Sequence, residues 1–171
     1  MNKFLKIALM IVAVVVSILL GGFAVAIVER GLHNIVEPPV FADFESMSFA
    51  EKAATIDNYL KSHWFAFPSV VIGHATAPFI SILSLVYLLR VLNKGLKAKF
   101  KAWHFALPLV ILWIFVDLMM DLVVVPVGPK LASIDAVVSL ILGIAAFIIA
   151  GGLRKHERPA RVSSEEEVYR G

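Results

Sequence analysis

Asp117 and Asp121 stand four residues apart inside the apolar run WIFVDLMMDLVVVP, residues 113–126. At that spacing two side chains share one face of a helix. Two carboxylates on one face of a hydrocarbon-embedded helix cannot both carry charge without a partner. A proton, a cation or an imidazole would supply it. His74 lies in a second apolar run, VVIGHATAPF, and Glu29 and His33 repeat the four-residue spacing at the end of a third. Carboxylates and imidazoles relay protons, ligate Zn²⁺ and other divalent ions, or bond one helix to another. Residues spread over three helices form no metal-binding motif, so no cofactor is assigned and a divalent metal is kept as the alternative.

The elements that must position these groups are membrane-spanning helices. The chain has 171 residues, 60% hydrophobic and 17% charged, with a mean hydropathy of +0.87. An ordinary soluble domain is about 25% charged. The apolar residues come in long blocks without the alternation of a sheet or barrel. Four blocks suffice to cross a hydrocarbon core, which takes about 20 residues: about 7–28, 65–89, 103–125 and 136–153. The expected fold is therefore an all-α membrane protein, one four-helix transmembrane domain over 1–153 with a polar tail, 154–171, expected to be disordered.

Charge orients the helices. The 29–62 loop holds Glu29, Glu37, Asp43, Glu45, Glu51 and Asp57 against three basic residues, whereas the loop after the second helix holds Arg90, Lys94, Lys97, Lys99 and Lys101 and no acid. Lys and Arg mark the cytoplasmic side. Both termini are thus expected in the cytoplasm and the 29–62 loop outside. The net charge of +3 and the pI near 9.3 follow from this orientation; the bilayer, not a nucleic acid, is the expected partner. The start MNKFLKIALMIVAVVVSILLGGFAVA also has the order of a secretory signal, with cleavage after Ala26. Its apolar run exceeds the ~7–15 residues of a signal core, so an uncleaved first helix is favoured.

A short amphipathic helix is expected over Phe49–Leu60, with Ser48 as N-cap and Glu51 completing a capping box. It reads as a capped connector lying over the outer face, or less readily as a gate. Pro78 falls inside the second helix and frees the carbonyl of His74 from the helix ladder, which predicts a kink there. The fourth helix, with Ser139 as its polar side chain and several Gly and Ala, reads as packing, and Asp135 as its N-cap. Trp103 and Trp113 read as interface and packing residues.

With ~1.5 Å rise per residue, Asp121 falls about 6 Å, His74 about 9 Å and Asp117 about 12 Å below the outer edge of the core. Glu29 and His33 sit at the boundary above. These five residues define a candidate polar pocket in the outer half of the bundle.

The order of features ERGLH with EPP, then GHATAP, then Asp121 before Pro126, then Asp135 after Pro129 resembles a group of small bacterial integral membrane proteins of unassigned function. The resemblance spans about residues 1–152. It implies the four-helix architecture and a bacterial inner-membrane location. It implies no activity. Where that group is expected to carry an asparagine, this chain has Asp121.

Three functional classes are open. The favoured one is a non-enzymatic structural or accessory membrane protein. The others are a small ion- or solute-translocating protein, which would have to form a homo-oligomer to line a path, and a membrane-embedded metal-dependent enzyme. With no cysteine in the chain, thiol chemistry and thiolate metal sites are excluded. Phosphate-binding glycine loops, a His-Glu-x-x-His helix and a serine elbow are absent from the sequence.

Overall fold

A computed structural model of the chain describes residues 2–33, 43–96 and 100–153. Among them are five α-helices and no strand: α1 (Lys3–His33), α2 (Phe49–Ser62), α3 (Ala66–Leu96), α4 (Trp103–Met119) and α5 (Pro129–Ile149). Four are long and apolar enough to cross a membrane, α4 doing so together with the wider turn Met120–Val124 that continues it. The chain therefore has the architecture of a multi-pass membrane protein. The expected tail, 154–171, lies outside the described residues, as do Glu37 and the prolines beside it.

Two of the spanning helices overrun the apolar blocks that predict them, whereas α4 with its turn stops at Val124 and α5 at Ile149, short of the expected 125 and 153. α1 and α3 each have 31 residues, about 46 Å at the α-helical rise, against a hydrocarbon core of ~30 Å. Both run on through the polar residues at their ends, Gly31 and Gly95 included. α2 forms as expected and runs on to Ser62: the Ser48 hydroxyl accepts from Glu51 N–H while the Glu51 carboxylate accepts from Ser48 N–H at 2.8 Å. The Ser48 hydroxyl also donates to that carboxylate at 2.7 Å, and this bond together with the one from Ser48 N–H holds the Glu51 carboxyl below its ordinary pKa. α2 takes no part in the main helix interfaces, in keeping with a connector.

α3 is the centre of the bundle. Of its most apolar stretch 44% is buried, against 17%, 22% and 28% for α1, α4 and α5, and it packs against all three. Ile82, Leu85, Val86 and Leu89 line its core face and join Ala13 of α1, Leu109 and Val110 of α4 and Ala146 of α5 in one dry cluster. The outward faces of α1, α4 and α5 leave Leu19, Phe23, Ile111, Phe115, Ile141 and Ile148 exposed, as lipid contact requires. Hydrocarbon supplies no hydrophobic drive between helices, so close packing at small residues must hold them together. Gly21 permits the closest approach: a Cβ there would overlap the Ser81 hydroxyl and come within 2.8 Å of the Ala77 carbonyl oxygen. Gly143 of α5 does the same against Val110 and faces Pro78.

The start of the fourth spanning helix needs correction. It begins at Pro129, not near 136, because Gly128 takes φ 90°, a conformation open to glycine, and sets Pro129 in the first turn, where its missing N–H costs nothing. Asp135 is therefore no N-cap. It lies inside α5 with 0% exposure.

Candidate functional site

The site forms where α3 and α5 begin and α4 ends. The end of α4 is its most irregular part. Pro126 has no N–H to donate and biases Val125 towards extended backbone; Val125 adopts φ −125°, ψ 83°. The chain closes with wider bonds, Val125 N–H to the Met120 carbonyl at 2.8 Å and Val127 N–H to the Asp121 carbonyl at 2.9 Å. A widened turn of this kind often re-aims a side chain at a functional site. Here it carries Asp121, 2% exposed.

His74 is the hub. Its Nδ1 is 2.5 Å from Asp135 Oδ2 and 3.8 Å from Asp121 Oδ1. The first distance is a short charge-assisted hydrogen bond; the second is beyond hydrogen-bond range. Asp121 Oδ2 and Asp135 Oδ1 are buried without a hydrogen-bond partner. One atom from each of His74, Asp121 and Asp135 lies within 4.8 Å of the others.

One turn deeper, Asp117 is held differently. Its Oδ2 accepts from the Ser139 hydroxyl at 2.7 Å, and both residues are buried. α4 and α5 run antiparallel, so Asp121 is level with Asp135 and Asp117 with Ser139. Both pairs of positions are four apart on their helices. A further turn down, Trp113 Nε1 donates to the buried Ser81 hydroxyl at 3.0 Å. Below this the bundle is filled by the cluster around Ile82, Leu85, Val86, Leu109 and Val110, and Ser17 and Ser84 beside it turn their hydroxyls back to carbonyls of their own helices, Ala13 and Ile80.

Of the five residues expected to form the pocket, the structure brings His74 and Asp121 together and seats Asp117 a turn beneath with its own partner. Glu29 is half-buried and lies over Gly73 of α3, where a Cβ would come within 3.2 Å of its Cγ. It thus flanks His74 from α1. His33 closes α1, and its side chain lies outside the described residues. Pro78 is buried inside α3, which continues through it as helix.

The residues that sequence reasoning passes over are Asp135 and Ser139. Their helix reads as packing only if Asp135 is its cap. The signal for the other reading was present: Gly128-Pro129 starts the helix two turns earlier, and Asp135 and Ser139 then repeat the spacing of Asp117 and Asp121.

No family model, no curated protein and no solved structure matches this chain. An imidazole with two carboxylates can bind a proton or a divalent cation, and the Asp117–Ser139 pair, in which the hydroxyl donates to the carboxylate, joins α4 to α5.

Proposed function

We propose that this chain is a non-enzymatic, accessory or structural multi-pass protein of a bacterial inner membrane, with both termini cytoplasmic and a cation-binding pocket in the outer half of its bundle. The orientation rests on the Lys and Arg asymmetry of the loops, and the bacterial setting on the resemblance in feature order. The pocket ties α3, α4 and α5 together while its two unpartnered carboxylate oxygens leave room for an exchangeable ion.

The observation that carries this reading is the dead end beneath the site. A translocating protein needs polar lining through both halves, whereas the column from His74 to Ser81 stops on Ile82, Leu85 and Val86, each no more than 1% exposed. An ion that enters from outside is held and returned, not passed on.

Two measurements test it. The chain has no cysteine, so His74→Cys provides a single thiol; a membrane-impermeant thiol reagent should label it from the outer side of sealed vesicles only. Proteoliposomes of the unaltered protein should show proton and cation flux no higher than empty liposomes. Labelling from the cytoplasmic side, or a flux above background that Asp121→Asn removes, would replace this reading with the translocating one.

A further inference from the structure

We infer that His74, Asp121 and Asp135 form a binding site for a first-row divalent metal ion of the Zn²⁺ or Mn²⁺ kind, held by His74 Nδ1 and one or both oxygens of each carboxylate. The inference rests on the pocket reading above and names its ion.

Three observations carry it. The donor atoms come from three different helices yet lie within 4.8 Å of one another, and Nδ1 to Asp121 Oδ1 is 3.8 Å, close to the ~3.4 Å edge expected between ligands about 2.1 Å from one ion. The 2.5 Å bond of Nδ1 to Asp135 would open to about the same edge as an ion takes the place of the shared proton. Second, Asp121 Oδ2 and Asp135 Oδ1 are buried without a partner on residues 2% and 0% exposed. Native interiors rarely leave such atoms unmatched; a proton shared between the two carboxyls would match them, and so would an ion bound between them. Asp117 differs: its Oδ2 accepts from Ser139, and neither of its oxygens is among the buried unpartnered atoms.

The third observation is charge. Ionised together, Asp121 and Asp135 would bring two negative charges into a region where an uncompensated charge is costly. One imidazolium cancels one of them; one divalent ion beside a neutral imidazole cancels both. Nitrogen and carboxylate donors suit first-row divalent ions and disfavour soft monovalent copper. Three protein residues leave a coordination position for water on the outer side, where His74 retains 14% exposure.

The test uses the full chain in detergent, stripped with a chelator and then titrated with Zn²⁺ and, separately, Mn²⁺. One ion per chain should bind and survive gel filtration. Asp121→Asn, Asp135→Asn and His74→Gln should each weaken binding on the order of a hundredfold, while Asp117→Asn, one turn below, should bind as the unaltered protein does. His74→Cys guards against simple misfolding, because a thiolate in the shell should retain Zn²⁺ and produce a thiolate-to-metal absorption band with Co²⁺. Absence of stoichiometric binding would overturn the site, as would binding undiminished in the Asp121→Asn, Asp135→Asn double variant, which would mark an adventitious ion only. Either result leaves outer-side labelling and the absence of flux to judge the pocket reading on their own.

Discussion

His74 on α3 and Asp135 on α5, 61 positions apart in the chain, meet through a 2.5 Å contact between imidazole Nδ1 and carboxylate. Among the described residues neither has another side-chain hydrogen bond of comparable length, so each depends on the other. His74→Leu or Asp135→Leu alone should strand a buried polar partner and cost about 1–3 kcal/mol. The double variant should recover much of that loss, since replacing both members of a buried polar pair can be near neutral. A double-mutant cycle of thermal stability in detergent reads the coupling. It should exceed the coupling of His74 with Asp117; the reverse order would mean that α5 does not seat Asp135 against the imidazole.

Asp117 should answer to Ser139 instead. Ser139→Ala removes the donor at 2.7 Å and leaves a buried carboxyl oxygen unmatched, a loss of about 1–3 kcal/mol. Adding Asp117→Leu to that variant should restore part of it. Unfolding midpoints of the two variants and their combination decide the matter, and simple additivity would show that the pair does not interact.

Gly21 sets the crossing of α1 over α3. Gly21→Ala would place a methyl on the Ser81 hydroxyl and the Ala77 carbonyl, and overpacking of this kind costs typically about 1–3 kcal/mol. Ser81 also receives the Trp113 indole N–H, so a red or blue shift of Trp113 fluorescence should accompany the loss. Gly22→Ala, where a Cβ meets nothing within 4 Å, is the matched control and should be neutral.

The capping box of α2 supplies a pH dependence outside the membrane. The Glu51 carboxyl titrates below its ordinary value because it accepts from Ser48. Its contribution to α2 is therefore complete above the ordinary glutamate pKa and is lost as pH falls through the depressed one. Hydrogen exchange at the first turn of α2 should quicken on acidification. Glu51→Gln, which keeps an acceptor that does not titrate, should remove that dependence; an unchanged acid response in that variant would assign it to other groups.

Orientation is open to direct measurement. Reporters fused after Ser62 and within 126–128 should read as external, and reporters after Leu96 and Gly171 as cytoplasmic, because the basic residues cluster at the latter ends. A cytoplasmic signal from the Asp43–Ser62 segment would invert the bundle and put the His74 cluster in its inner half.

By itself the sequence determined the membrane class, the four spanning helices and the capping box of α2, because each is written in contiguous residues: apolar runs of sufficient length, and a Ser with a Glu three places on. It also set His74, Asp117 and Asp121 at similar depth, since depth along a helix follows from counting residues at a constant rise. Rotation about the helix axis does not. Whether Asp117 or Asp135 meets His74 depends on which faces α4 and α5 turn inward, and that was decided by packing, through the widened turn before Pro126 that carries Asp121 and the small-residue contact at Gly143, although the Gly128-Pro129 start that draws Asp135 two turns into α5 was itself written in the sequence. The dead end below Ser81 is likewise a property of packed faces from several helices. No stretch of a single helix, read alone, specifies what its neighbours place against it.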